Sequence, residues 1–353
     1  MKMRKLRERI DKLDAELLET IAKRIKAASS ISKIKRDKNI RPYSPERESQ
    51  VLRRIKKLNK GRIPDDILEF LFTQIMSVTF SLSAPLKIAY LGPKATFTHL
   101  AAVKRFGEKV DFIPYNDISD IFCAVDNSQA DFGVVPVENS TEGIVSHTLD
   151  MFVDSDLKIC SEVMLKITHH LLGNIPLKNV RKVYSHPQVL SQCRHWLQTH
   201  LPSAELISTV TTVKAAEVIR KRRDSVCIAS KVCSKLYNLK IIAGNIQDLS
   251  NNVTRFLVVG KYETSPTGKD KTSLLFSVKD RVGALHDMLV PFEKNKLNLT
   301  RIESRPSRRK AWEYYFFVDF EGHKENKNAK KAIGELEKKV NFLKVLGAYP
   351  RAL

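Results

Sequence analysis

The chain has 353 residues, 42% of them hydrophobic and 28% charged, with a formal net charge of +22. That length exceeds one ordinary core and predicts two or three domains, and the apolar content excludes a disordered chain. No apolar run approaches the roughly 20 residues a bilayer span needs, and the opening "MKMRKLRERIDKLDAELLE" is charged where a signal peptide is apolar. The expectation is a soluble cytoplasmic protein with no membrane partner. Cys123, Cys160, Cys193, Cys227 and Cys233 show no CxxC spacing. They read as reduced thiols, not as a zinc site. The positive charge raises nucleic acid as a partner. The lysines and arginines are spread along the whole chain, however, and no aromatic-basic stacking motif accompanies them. Small anionic substrates fit better, and no nucleic acid is expected.

The first segment has no glycine before Gly61 and no proline before Pro42. Leu6, Ile10, Leu13, Leu17, Ile21, Ile25, Ala28 and Ile31 recur at helical steps and predict a helix over 3–37. At 1.5 Å per residue it is roughly 50 Å long, more than a small domain can cover, so a partner chain is expected against it. Two further helices are predicted over 45–59 and 64–82, with Pro45 and Pro64 at their starts and Gly61 at the break. After "SLSAPL" the period changes. Short apolar runs such as "LKIAYLG", "FGVVPV", "KVYSH", "SVCIAS" and "RFLVVG" alternate with helical stretches over 98–106, 116–127, 187–199 and 212–221. This alternation predicts parallel α/β sheets. "ETSPTGKD" is a polar linker. Residues 271–353 then read strand, helix, strand, strand, helix, strand, the βαββαβ order of a ferredoxin-like domain.

Arg24 and Lys35 lie eleven residues apart, which at about 100° per residue is within about 20° of three full turns. Both cations therefore share one face of the long helix, with Arg7 on another; Arg47 and Glu48 open the next helix in "SPERESQ". On spacing alone this is a solvated charged face. The stretches "LRERIDKLDAELLETIAKRIKAASSISKIK" and "RPYSPERESQVLRRI" resemble the all-helical chorismate mutases. In that family long helices pair across a dimer and each site borrows an arginine. The resemblance implies Arg7 as the donated arginine, Arg24 on a carboxylate, Lys35 on the ether oxygen, Glu48 on the substrate hydroxyl and Thr79 on a carboxylate. The reaction is a pericyclic rearrangement, which requires only a clamped dicarboxylate and stabilised charge on the ether oxygen. Arginine forks suit the clamp. Ser44 stands where the family usually has aspartate and Ser83 where it usually has glutamine. Loss of one donor costs roughly 3 kcal/mol of transition-state stabilisation, so a slow mutase is expected.

"LGPKATFTHLAA", "VPVENSTEGIV" and "YSHPQVLSQC" each place hydroxyls or amides at a helix start, where free N–H groups and the dipole attract anions. Taken singly, Thr98, Ser140 and Ser185 read as N-caps. Together, "GPKATFTH", "VPVENSTEG", "SHPQ" and "TRF" resemble prephenate dehydratase over about 86–262, with Ala95 where glycine is common and Thr98 where serine is common. The resemblance implies a two-lobed, periplasmic-binding-protein-like α/β fold with substrate in the cleft. It implies a role for Thr254 as hydrogen-bond donor to the departing hydroxyl of a ring that aromatises as it loses water and CO2. Thr96, Glu138, Asn139, Ser140, Thr141, Ser185, His186, Gln188, Asn252, Arg255 and Phe256 are the candidate cleft residues. His186 reads as a proton source or, the slightly favoured reading, as a turn residue before Pro187. The pair His169-His170 is assigned no metal, because adjacent strand residues face opposite ways.

"VGALHDML" and "ESRP" resemble the ACT regulatory domain of the same enzymes. The resemblance implies a phenylalanine site at a dimer interface built from Gly283, Ala284, Leu285, Glu303, Ser304, Arg305 and Pro306, with His286 replacing the usual valine. The whole is similar to the bifunctional chorismate mutase/prephenate dehydratases, in domains 1–84, 86–262 and 271–353. The implied protein is a homodimer or dimer of dimers that takes chorismate and prephenate as substrates and phenylalanine as effector, with no cofactor and no metal. Two alternatives are a dehydratase whose helices only dimerise and a non-catalytic ligand-binding regulator.

Overall fold

The computed structural model describes residues 2–38, 40, 43–83, 85–278, 281–306 and 314–352. It forms two compact units, residues 1–87 with 103–111, and residues 88–102 with 112–353.

The first unit is built on three helices, α1 (Lys2–Asp37), α2 (Pro45–Asn59) and α3 (Asp65–Ser83). Ser44 caps α2, its hydroxyl accepting the Arg47 N–H, and Pro45 occupies the first turn, where no N–H is needed. Along the first half of α1 the apolar stripe is uncovered: Leu6, Ile10, Leu13 and Leu17 are each more than half exposed. Residues 103–111 also belong to this unit. The Phe106 ring packs on Tyr43, with centroids 5.4 Å apart. Gly107 (φ 73°) crosses α3 so closely that a Cβ would meet the Ser77 side chain. The Ser77 hydroxyl accepts the Lys109 N–H at 2.8 Å.

The chain continues with β1 (Lys87–Leu91), α4 (Phe97–Phe106), whose last turn belongs to the first unit, β2 (Asp111–Tyr115), α5 (Ile118–Asp126), β3 (Phe132–Asn139), β4 (Gly143–Ile144), α6 (Ser146–Asp154) and β5 (Lys158–Lys166). There follow β6 (His170–Gly173), β7 (Lys182–Ser185), α7 (Pro187–Gln192), α8 (Arg194–His200), β8 (Glu205–Ser208), α9 (Thr212–Ile219), β9 (Ser225–Ala229), α10 (Lys231–Tyr237), β10 (Lys240–Ala243) and β11 (Val253–Gly260). One sheet has the order β2-β1-β3-β11-β5, with β4 on β3, and the other the order β10-β6-β9-β7-β8. These are the two lobes. The chain leaves the first after β5 and returns as β11.

The expectation of parallel sheets needs correction. β1 runs parallel to β3, and β7 to β8 and β9. β11, however, is antiparallel to both β3 and β5, and β6 to both β9 and β10. Alternating elements signal local βα units; they do not reveal that a strand returning from the other lobe enters the sheet from the opposite end.

The chain closes with β12 (Asp270–Ser277), α11 (Ala284–Lys294), β13 (Leu299–Pro306), β14 (Tyr314–Glu321), α12 (Lys327–Glu337) and β15 (Phe342–Pro350). They form a four-stranded antiparallel sheet of order β13-β14-β12-β15 with the expected βαββαβ connectivity. One face carries Leu274, Phe276, Val318 and Phe320 against Met288 and Phe292 of α11 and Ala329 and Leu336 of α12. The alternate residues Leu275, Phe317, Leu346 and Tyr349 share a core with Val135, Phe152, Leu257 and Val259 of the first lobe. Gly347 permits the approach: a Cβ there would run into the backbone of Ile159 on β5.

Candidate active sites

In the helical unit a cavity of about 370 Å³ is lined by Arg24, Ser32, Lys35, Ser44, Arg47, Glu48, Val51, Met76, Thr79 and Phe80, among others. The predicted residues Arg24, Lys35, Ser44, Arg47, Glu48 and Thr79 thus meet in one space. One guanidinium nitrogen of Arg24, Nη1, is buried with no hydrogen-bond partner among the described residues. Burial pulls its pKa below the ordinary arginine value. A buried donor lacking a partner is costly, and an anion arriving in the cavity relieves that cost. Glu48 accepts from the Tyr43 hydroxyl and pairs with Arg105 at 2.6 Å. Burial opposes the charge of Arg105, but Glu48, Tyr43 and Glu69 together more than restore it. Neither Tyr43 nor Arg105 stands out in the sequence, since Arg105 arrives from α4, far along the chain. Ser83 does not line the cavity; its hydroxyl donates to the Thr79 carbonyl at 2.7 Å and lies 3.3 Å from Ser32 Oγ. Arg7 lies outside it, on the exposed first half of α1.

A second cavity, of about 300 Å³, lies between the lobes of the other unit. Of the predicted residues Thr96, Asn139, His186, Gln188, Asn252, Thr254 and Phe256 line it. Asn139 is the keystone. Its amide nitrogen donates to Thr254 Oγ1 and to Asn252 Oδ1, each at 2.7 Å. Its amide oxygen accepts the N–H groups of Thr141 and Glu142, each at 3.0 Å, which fixes the "ENSTEG" turn. Only a side chain that both donates and accepts can do this. Thr254 Oγ1 therefore receives a hydrogen bond, and no acceptor for its own proton stands among the described residues. The donors continue outward: Asn252 Nδ2 gives to Gln192 Oε1 at 3.1 Å, and His169 Nε2 lies 2.8 Å from the same oxygen.

Gln192 and His169 line the cleft and were not expected there. Gln192 stands one helical turn after Gln188, a spacing that puts both on one face of α7. His169 lies just before β6, fully buried, with Nδ1 unpartnered among the described residues. Burial lowers its pKa, as it does that of His186. Thr96, Phe97 and Thr98 at the start of α4, and Val210, Thr211 and Thr212 at the start of α9, complete two walls. Thr96, not Thr98, is the cap of α4, its hydroxyl accepting the His99 N–H at 3.3 Å.

Five expected cleft residues lie elsewhere. Ser185 Oγ is spent on the Ile228 carbonyl at 2.7 Å in the core of the second lobe. Ser140 and Thr141 sit in the exposed turn beyond Asn139, where Ser140 Oγ donates to the Asn251 carbonyl and Thr141 Oγ1 to Asn139. Glu138 and Arg255 precede and follow cleft residues in β3 and β11. Strand alternation turns both to the opposite face. There Arg255 is buried against Glu162, Asp319 and Tyr349.

In the ferredoxin-like domain Gly283 adopts φ 78° and opens α11. Ala284 lines a cavity of about 210 Å³ with Val278, Arg281, Asp287, Lys338 and Lys339. Leu285 is half-exposed. On β13, Ser304 and Pro306 are exposed while Glu303 and Arg305 face inward. Arg305 is not free for an effector: it donates to Ser146 Oγ at 2.5 Å and grips Asp150 through Nη2 at 3.1 and 3.2 Å, both on α6.

Helical unit, two-lobed unit and ferredoxin-like module define the class, a fused biosynthetic enzyme with a regulatory domain. Residues 6–83 match chorismate mutase type II, residues 88–264 prephenate dehydratase and residues 272–338 the ACT domain. The chain is 48% identical over 99% of its length to the bifunctional chorismate mutase/prephenate dehydratase of Aquifex aeolicus, covering 98% of that protein. It is 44% identical, over 99% of its length and 98% of the other, to the enzyme of the same description from Pseudomonas aeruginosa. Among solved structures, prephenate dehydratase from Arthrobacter aurescens in complex with L-Phe superposes with a TM-score of 0.71 at 30% identity, covering 76% of this chain and 90% of that one. The chain belongs to the family of bifunctional chorismate mutase/prephenate dehydratases. No helix among the described residues is long and apolar enough to cross a membrane.

Proposed function

We propose that this chain converts chorismate to prephenate in the helical cavity and prephenate to phenylpyruvate in the interlobe cleft. In the first site Arg24 clamps a substrate carboxylate, Lys35 stabilises the ether oxygen, and Glu48, steadied by Arg105, accepts from the ring hydroxyl. Arg47, Thr79 and Ser44 line the remaining wall, and Arg7 is supplied by a second copy of the chain in a homodimer. Ser83 stands outside the cavity lining with its hydroxyl donated to the Thr79 carbonyl, which supports a slow mutase.

In the second site the substrate carries a ring hydroxyl opposite a ring carboxylate. As the C–CO2⁻ bond breaks, its electron pair enters the ring, the C–OH bond breaks, and the departing hydroxide becomes water by taking one proton that comes from solvent, the Thr254 hydroxyl donating a hydrogen bond to it and keeping or regaining its own proton. Aromatisation drives the step, so a donor suffices and no strong base is needed. The observation that carries this reading is the Asn139 to Thr254 hydrogen bond: with its lone pair engaged, the Thr254 hydroxyl has its proton available for the cleft. The first turns of α4 and α9 offer N–H groups to the carboxylates. Phenylalanine is the proposed effector, acting near Gly283, Ala284, Leu285, Glu303, Ser304 and Pro306. The test is incubation with chorismate, following prephenate and phenylpyruvate together, with and without phenylalanine. Accumulating prephenate alone refutes the cleft assignment, and no turnover of chorismate refutes the first.

A further inference from the structure

Behind the cleft, on the face of the sheet turned away from substrate, lies a buried polar cluster shared with the ACT domain. All three nitrogens of the Arg255 guanidinium are engaged: Nε with Glu162 Oε2 at 2.8 Å, Nη1 with Asp319 Oδ2 at 2.6 Å and Nη2 with Tyr349 Oη at 2.9 Å. Ser273 Oγ donates to Asp319 Oδ1 at 2.5 Å and lies 2.7 Å from Tyr349 Oη. Lys271 pairs with Glu162 at 2.9 Å. Glu138 approaches Arg301 at 3.7 Å and Arg255 at 4.0 Å. Burial disfavours charge on Asp319, yet Arg255, Arg301 and Ser273 hold its carboxyl below the ordinary range. Asp319, Tyr349, Ser273, Lys271 and Arg301 all belong to the ACT sheet.

The register makes this cluster a matter of catalysis as well as docking. Arg255 follows Thr254 on β11, and Glu138 precedes Asn139 on β3; Thr254 pairs with Asn139 and Arg255 with Glu138. The donor and the residue that orients it thus have as immediate neighbours the two residues that face the ACT domain. The β3–β11 register shifts between Arg255 and Phe256, whereas the β5–β11 register runs unbroken from Val253 to Val258, so it is the Asn139 side of Thr254 that the ladder holds less regularly.

We propose that Arg255 is a positioning residue for the dehydratase, held by Asp319 and Tyr349 of the ACT sheet so that Thr254 stays aligned with Asn139 in the cleft. Arg255 on this account never touches substrate; the ACT domain completes the active site from behind. The proposal rests on the reading of Thr254 as the donor.

The experiment compares Arg255→Lys, Asp319→Asn, Tyr349→Phe, the Arg255→Lys/Asp319→Asn pair and Thr254→Val in the full chain. Dehydratase kcat and KM for prephenate are read, with mutase turnover as the control, because the helical unit contains none of these residues. A displacement of the donor lowers kcat and leaves ground-state binding alone. Arg255→Lys and Asp319→Asn should each lower kcat about tenfold or more with KM within about twofold. Tyr349→Phe should fall in the same direction, and the pair should be no worse than its worse member. A large KM rise in Arg255→Lys beside wild-type Asp319→Asn makes Arg255 a substrate ligand and overturns the proposal. Wild-type kcat in Tyr349→Phe and Asp319→Asn overturns it as well, as does strict additivity of the pair. If Asp319→Asn does not fold, the milder Tyr349→Phe decides alone. Thr254→Val at the wild-type rate overturns the donor reading and this proposal with it, whereas inactive Thr254→Val beside wild-type Asp319→Asn overturns only the proposal.

Discussion

Replacing Thr254 by valine keeps the shape of the side chain and deletes one hydroxyl, so packing on β11 is preserved. Two costs follow, and they differ in size. In the folded protein one of the two N–H bonds of Asn139 loses its acceptor, while the bond to Asn252 Oδ1 remains. An unmade hydrogen bond beside a solvent-accessible cleft costs about 1 kcal/mol of stability. In the transition state the departing hydroxide loses its donor, which by analogy with a lost oxyanion donor costs about 3–4 kcal/mol, a factor of about 10²–10³ in kcat. The catalytic loss thus exceeds the structural one by about 2 kcal/mol, and the two are separable. The assay is initial-rate phenylpyruvate formation from prephenate, with thermal unfolding and mutase turnover measured on the same preparation. Thr254→Ser, which restores the hydroxyl, should stay within about tenfold of wild type. A folded Thr254→Val retaining more than about a third of wild-type kcat would refute the donor argument.

Asn139→Asp cannot donate to Thr254 or Asn252 and accepts instead, so dehydratase kcat should fall about 10²-fold while the mutase is untouched; phenylpyruvate and prephenate yields from chorismate separate the two. Arg24→Leu removes a guanidinium whose Nη1 is buried without a partner among the described residues, so the melting temperature should hold or rise while mutase kcat/KM drops about 10²-fold, measured by chorismate loss. Gly347→Ala drives a methyl into the Ile159 backbone and should lower the melting temperature by several degrees, about 2–4 °C per kcal/mol, and depress dehydratase turnover with it. His99, buried between Tyr90 and Phe112, has its pKa pulled down to about 4 by burial and by Lys94. Against about 6.5 in the unfolded chain, its neutral form is favoured by folding. Stability should therefore decline as pH falls from about 6.5 toward 4 and level off below, by at most about 3 kcal/mol, and His99→Gln should flatten that segment in urea titrations.

Periodicity carried the three N-terminal helices and the βαββαβ order, because an apolar stripe or an alternating strand is written in adjacent residues. The same arithmetic brought Arg24 and Lys35 into one cavity. Strand direction was not legible: an apolar run reads alike in either sense, and β11 is antiparallel only because it returns from the second lobe. Arg105 carried no local mark, since its partner Glu48 lies in another domain of the sequence. Arg255 shows the limit of a motif. "TRF" groups three neighbours, yet period-two geometry gives Thr254 and Phe256 to the cleft and Arg255 to the opposite face. Ser185 shows the same limit, a hydroxyl at a helix start that bonds across the sheet instead.

A dicarboxylate substrate in a chain of net charge +22 suggests a lysine or arginine clamp. Yet among the described residues none lines the interlobe cleft; its polar wall is threonine, asparagine, glutamine and neutral histidine. Neutral donors and helix first turns hold an anion through several modest bonds, each dependent on geometry, where a cation would hold it through long-range attraction. Decarboxylation removes one of the two carboxylates and flattens the ring, so a set of donors aimed at both loses much of its grip at once. A buried guanidinium would keep holding the remaining carboxylate. On the proposed reading the cleft distinguishes substrate from product by the number of aligned bonds, and Asn139 in front and Arg255 behind hold that alignment.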